Sequence, residues 1–186
     1  MRIPTRDEAL NLMAEAGCSR HVIDHCIRVS KLALCLAGSL RDSGFDVDCA
    51  LVEAGALLHD LGRSKTHGVD HGVVGGRLAL DLGLPTSLVK IIERHVGAGI
   101  TADEAAKLGL PEKSYIPVSL EEKIVAYADD LIEGDKVVDI EVTVEKFGKE
   151  LGDDHPSLGR LRALHDEIVG LIGDDFKPNI DLRLPG

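Results

Sequence analysis

Tryptophan is absent and aromatic residues are few, three Phe and two Tyr in 186 residues, so the chain has little with which to stack nucleobases along an extended strand. Cationic residues are also scarce relative to acids. A net charge of −11 repels a phosphate polymer over most of the surface, which argues against a long nucleic-acid footprint but leaves room for a small anion at a local cationic mouth. No apolar run approaches the roughly 18 residues that a membrane-spanning helix requires. The first residues are charged (Arg2, Arg6, Asp7, Glu8) and lack the apolar stretch of a signal peptide, so a soluble, cytoplasmic protein is expected, with no membrane partner. The four cysteines, Cys18, Cys26, Cys35 and Cys49, have no C-x-x-C spacing and read as small apolar residues in a reducing compartment. A phosphate-binding G-x-x-x-x-G-K-[ST] loop and a serine nucleophile elbow are missing too.

What is present is helical periodicity, punctuated by caps and glycines. Thr5 and Glu8 form a capping box for a first helix that ends near Gly17; Ser19 caps a longer one to about Leu40, with Val22, Cys26, Val29, Leu32, Ala33 and Leu36 on one face. Leu51, Ala54, Leu58 and Leu61 mark a mostly buried central helix, for which Gly62 is the expected left-handed stop, so that His59 and Asp60 fall in its last turn. Asp70 is the expected cap of a helix from His71 to Gly83, where Gly72, Gly75 and Gly76 permit close backbone approach. Leu88, Ile91, Ile92 and His95 share the face of the next helix. Thr101 with Glu104, and Ser119 with Glu122, form further capping boxes; the helix after Ser119 carries Asp129 between Val125 and Ile132. The alternation from Val138 to Val144 reads as an extended connection before a helix from about Thr143, and a final helix carries Leu158, Leu161, Ile168 and Ile172 with His165 among them. The expectation is an all-α single domain of about eight helices over residues 1–176, with a metal-site core at 19–133 and a loosely held tail at 177–186.

Several of these helices place a polar group where an apolar one belongs. His25, His59 with Asp60, His95 and Asp129 all fall on core-facing positions, and His71 opens a helix. Each buried unpaired polar group would cost several kcal/mol, so convergence on a shared divalent metal is the economical reading. Imidazole nitrogen and carboxylate oxygen both suit a borderline transition ion.

The order His25, His59-Asp60, Asp129 resembles the H…HD…D signature of the HD-domain superfamily of metal-dependent phosphohydrolases, and His59-Asp60-Leu61-Gly62-Arg63 is similar to the His-Asp-Ile-Gly-Lys of its HDIG subgroup. The match runs from about Ser19 to Ile132, and the chain looks like the small, stand-alone archaeal HD proteins. The resemblance implies an HD-fold helical bundle in which His25, His59, Asp60 and Asp129 bind a divalent ion (Mn, Fe, Co, Ni or Zn, with Mg allowed). His59 and Asp60 would be catalytic, with metal-activated water hydrolysing a small, nucleotide-related phosphomonoester or phosphodiester. Arg63, Lys65 and Arg94 are candidates for the phosphate charge. The longer order that includes His71 and His95 resembles the two-metal HD proteins and makes that pair the candidate ligands of a second ion. It also admits a di-iron oxygenase as the alternative enzyme, and a non-catalytic module that binds a phosphorylated effector as the alternative binding protein; a homo-oligomer is allowed. His95-Val96-Gly97 lacks the Gly-Tyr-Pro run of cyclic-dinucleotide HD-GYP enzymes, and Gly62-Arg63-Ser64-Lys65 lacks the acidic residues of stringent-response hydrolases.

Overall fold

A computed structural model describes residues 2–173 and 180–184. Among the described residues there are nine α-helices: α1 (Arg6–Ala16), α2 (Arg20–Asp42), α3 (Cys49–Leu58), α4 (His71–Asp81), α5 (Thr86–Arg94), α6 (Ala102–Lys107), α7 (Leu120–Asp130), α8 (Ile140–Leu151) and α9 (Pro156–Ile172). A 3₁₀ turn, Leu61–Ser64, follows α3, and a two-residue hairpin pairs β1 (Ile132–Glu133) with β2 (Lys136–Val137). The architecture is all-α. No described helix is long and apolar enough to cross a membrane.

The caps explain most boundaries. Thr5 and Thr101 accept from the third backbone N–H of their helices while Glu8 and Glu104 reach back, and Gly17 ends α1 in the left-handed region. The box at Ser119 is only half made: Ser119 accepts from Glu122 N, but the Glu122 carboxylate turns instead to Val118 N and to the Arg94 guanidinium. Asp70 makes no side-chain cap either, because its carboxylate accepts from the Thr66 hydroxyl. The expected extended stretch is mostly helix. Asp139 caps α8 at Ile140, and the alternating valines fall on an amphipathic helix whose Ile140 and Val144 are buried, since a two-residue hairpin offers no sheet for them to join.

The long α2 lies against α3 and α7, and α4 lies against α5 and the 3₁₀ turn, so the core is the space that these helices enclose. Cys18 and Cys26 are buried there as free thiols. Residues 174–176 of the expected domain and 177–179 and 185–186 of the expected tail lie outside the described residues; in the rest of the tail Leu182 is buried, and Lys31 Nζ donates to the carbonyls of Asp181 and Arg183.

Candidate metal centre

Close backbone contact builds the site. A Cβ on Gly62 would lie 2.0 Å from the His71 carbonyl oxygen and 2.7 Å from Gly75 N, so the 3₁₀ turn rests directly on the first turn of α4. Gly62 does not adopt the left-handed conformation expected of it; it is needed for approach. α3 therefore ends one residue before His59, which is its C-cap, and Asp60 leads into the 3₁₀ turn. At Gly72 a Cβ would stand 3.3 Å from the carbonyl oxygens of Ile92 and Glu93, which draws α4 onto the end of α5 and brings His71 to His95.

The three innermost imidazoles are fixed in the same way. His59, His71 and His95, only 0%, 4% and 1% exposed, each donate Nδ1–H to the carbonyl three residues earlier: Ala56 at 2.7 Å, Gly68 at 2.8 Å and Ile92 at 2.8 Å. This assigns the proton of each neutral imidazole to Nδ1 and leaves its Nε2 lone pair facing inward. Yet His71 Nε2 and His95 Nε2 stand 2.9 Å apart, and the fully buried His59 Nε2 has no hydrogen-bond partner, with Asp129 Oδ1 at 3.5 Å and Asp60 Oδ2 at 3.7 Å. Lone pairs thus point at lone pairs in a buried site, an arrangement that needs a proton or a cation at its centre. A histidine that gives one ring N–H to a backbone carbonyl and aims the other nitrogen inward is oriented as metal ligands are. The donor set fits a borderline divalent ion.

Asp60 stands between two such groups. Its Oδ1 lies 3.3 Å from His71 Nε2 and 3.6 Å from His95 Nε2, and Oδ2 faces His59. On the far side His25, from α2, donates Nε2–H to Asp129 Oδ1, from α7, at 2.8 Å. His25, His59 and Asp129 form one ligand-sized cluster and Asp60, His71 and His95 another; Cys26 Sγ comes within 4.8 Å of ligand atoms of His59 and Asp60.

The electrostatics match a site built for positive charge. Burial works to raise the carboxyl pKa of Asp60 and Asp129, but His59 and its neighbouring imidazoles outweigh it and hold both well below the usual carboxylate range. Burial likewise works to lower the His59 pKa, but Cys26, then the Asp129 and Asp60 carboxylates, outweigh it and it lies well above an ordinary histidine. Burial, then His95 and Arg63, pull His71 down to about 4, so it is neutral at pH 7. In the metal-free protein His59 therefore holds the proton that a metal must displace. Its raised pKa stabilises the fold below the unfolded value near 6.5, and that contribution is lost as pH climbs through the folded pKa; the depressed carboxylates act in the opposite sense, losing theirs as pH falls through their folded pKa values. Metal affinity is accordingly expected to strengthen from pH 6 to pH 8, with about one proton released per first ion bound. Calorimetry in two buffers of different ionisation enthalpy reads this directly; an affinity independent of pH would contradict it.

His25, Asp60, His71, His95 and Asp129 line a cleft of about 280 Å³. Arg63 lines it too, donating Nε–H to Asp60 Oδ1 at 3.1 Å and a terminal N–H to the His67 carbonyl. The other two candidate phosphate ligands are not brought there: Lys65 is exposed away from the cleft, and the Arg94 guanidinium is engaged by Glu122 at 2.8 Å. Among the cleft residues without a candidate role in the sequence are Asp130, Thr143, Lys146 and Phe147. Lys146, Thr143 and Phe147 come from α8, whose amphipathic pattern carries no sign of a site. Asp130, beside Asp129, has a buried carboxyl oxygen without a partner; burial, then the Asp129 charge, hold its pKa well above the usual range. The acidic pair at the end of α7 was its only signal. Of the remaining histidines, His155 caps α9 and His165 Nδ1 accepts from the Tyr127 hydroxyl at 2.7 Å.

Residues 22–133, well over half of the chain, match the model of the HD domain, and the chain belongs to that family. It is 50% identical over 166 residues to an uncharacterized protein of Methanocaldococcus jannaschii, a match covering 89% of this chain and 98% of the relative. It is 38% identical over 175 residues to the tRNA (cytidine(56)-2'-O)-methyltransferase of Picrophilus torridus, covering 94% of this chain and 49% of the relative, so it spans about half the length of that protein. In fold it is similar to the HD domain of the Listeria monocytogenes phosphodiesterase PgpH, solved with cyclic-di-AMP, with a TM-score of 0.53 at 13% identity over 92% of this chain and 98% of that one.

Proposed function

We propose that the chain is a metal-dependent phosphohydrolase acting on a small, nucleotide-related phosphomonoester or phosphodiester. The observation that carries the reading is the inward set of lone-pair nitrogens: His59, His71 and His95, all tethered through Nδ1, around a carboxylate with one oxygen toward each cluster. In this reading His25, His59, Asp60 and Asp129 would hold one ion, and His71 and His95, together with Asp60, would hold a second. Mn, Fe, Co, Ni or Zn suits the donors. When bound, such an ion lowers the pKa of a coordinated water to about 7 and withdraws charge from a phosphoryl oxygen.

The protein's own groups supply the rest. Asp60 and Asp129 stay ionised at neutral pH, Arg63 and Lys146 bring positive charge to the cleft for the phosphate, and Asp130 keeps a proton at its wall. Support for a nucleotide comes from the relatives: one is named for the 2'-O-methylation of a tRNA cytidine, and the fold neighbour was solved with a cyclic dinucleotide.

The test is a panel of nucleotide and sugar phosphoesters screened with Mn, Fe, Co, Ni, Zn and Mg. Turnover with at least one transition ion is expected. Absence of hydrolysis with all six would overturn the reading, and oxygen uptake by the iron-loaded protein in its place would favour an oxygenase. Metal stoichiometry tests the two-ion arrangement: about two ions in the wild type should fall to about one in a His71→Ala, His95→Ala double variant. One tightly bound ion in both proteins would return those histidines to a structural role.

A further inference from the structure

A second cavity, of about 460 Å³, adjoins the metal cleft, and five residues (Arg63, His71, Val96, Gly97 and Phe147) form walls of both. The two spaces adjoin along these residues. Gly97 stands in the left-handed region at φ 54°, and a Cβ there would meet the Phe147 ring at 3.1 Å, so α8 is laid directly on the turn that follows His95 at this junction.

The chemistry of the two spaces differs. Asp60, Asp129, His25 and His95 line the first alone, whereas the second has an apolar surface from Val69, Val96, Ile100, Leu108, Phe147 and Leu151 among its polar residues. Three of these are large apolar side chains left open to solvent: Val69 at 40%, Leu108 at 49% and Leu151 at 48% exposure, from three separate stretches of the chain and all lining one cavity. Scattered exposed apolar residues need no explanation; three gathered at the mouth of one pocket beside a polar centre do. The Arg160 guanidinium in this lining is already engaged by both oxygens of Glu104, at 2.9 and 2.8 Å, and Lys107 and Glu150 bring opposite charges to the same lining. A second phosphate would meet Glu104 and Glu150 beside the cations Lys107 and Arg160, whereas a neutral ring would find apolar walls interspersed with polar groups, as small-molecule sites offer. At about 280 Å³ the metal cleft falls just short of the usual ligand-pocket range of roughly 300–1,000 Å³, and the second cavity lies inside it.

We propose that this second cavity binds the nucleobase of a nucleotide whose phosphate occupies the metal cleft, with Leu108 and Leu151 as residues that determine specificity. The proposal rests on the phosphohydrolase reading for the position of the phosphate. It names where the organic part of the substrate lies, and it makes the substrate a nucleotide with its base attached, in preference to a bare sugar phosphate.

The experiment is calorimetric titration of the manganese-loaded protein with nucleoside 5'-methylenephosphonates of the four bases, which keep the phosphate charge but have no P–O ester bond to cleave, against ribose 5-methylenephosphonate. At least one nucleoside compound is expected to bind about tenfold or more tighter than the base-free reference, because apolar surface is buried. The Leu108→Glu, Leu151→Glu double variant should lose that advantage and keep its affinity for the reference compound. Both side chains are half exposed, so the fold should tolerate the change, and the melting temperature checks that it does. Equal affinity for the base-bearing and base-free compounds in the wild type overturns this proposal alone. So does a double variant that retains the preference. Failure of every phosphonate to bind overturns the phosphate placement, and this proposal with it.

Discussion

Asp60→Asn is expected to abolish phosphoester hydrolysis, with a fall on the order of 10³-fold or more, and to remove most of the thermal stabilisation that divalent metal gives the wild type. Both effects come from one side chain, because Asp60 is the group that faces both imidazole clusters, Oδ1 toward His71 and His95 and Oδ2 toward His59. Asparagine keeps the shape but offers a neutral oxygen to one cluster and an N–H to the other. A ligand present at about 100 times its dissociation constant stabilises the native state by about 2.7 kcal/mol, which for a domain of this length is roughly 5–10 °C. The wild type should gain that increment with manganese and Asp60→Asn should gain little. Scanning calorimetry with and without metal checks it; an equal increment in both proteins would put the ion somewhere other than between these clusters.

Gly62→Ala is expected to destabilise the protein by about 3 kcal/mol or more and to weaken metal binding at the same time. The added methyl would lie 2.0 Å from the His71 carbonyl oxygen and 2.7 Å from Gly75 N, and both neighbours are backbone with no rotamer in which to retreat. Relief requires the 3₁₀ turn to lift from α4, which parts Asp60 from His71. Gly38→Ala is the control. Gly38 lies inside α2 with nothing within 4 Å of the built Cβ, so alanine there should stabilise by about 0.5–1 kcal/mol through helix propensity alone. Denaturant melts of the two variants should therefore move in opposite directions. If Gly62→Ala melted with the wild type and bound metal equally well, the close approach would not be what sets the site.

The capping boxes at Thr5 and Thr101, the glycine stop at Gly17 and the apolar face of α2 were legible in the sequence because each is decided within about one helical turn. For the same reason His25, His59, His95 and Asp129 could be assigned to inward faces before any of them had a partner. Where a local signal had a competitor in space, it misled. Gly62 looked like a helix stop and is a contact point with α4; Glu122 looked like half of a capping box and is claimed by Arg94; the alternating valines before Val144 looked extended and fold as α8.

Tertiary packing alone decided the rest. His25 and Asp129 are 104 residues apart and meet at 2.8 Å, and His71 Nε2 comes to 2.9 Å from His95 Nε2 only because glycines let α4 seat on its neighbours. The wall that α8 gives the cleft, with Thr143, Lys146 and Phe147, has no sequence signature, since nothing in an amphipathic period says which neighbour its faces will meet. Periodicity determines which face of a helix turns inward. The distances between inward faces come from side-chain interdigitation across helices far apart in the chain, and on those distances depends whether buried histidines and aspartates can share a metal.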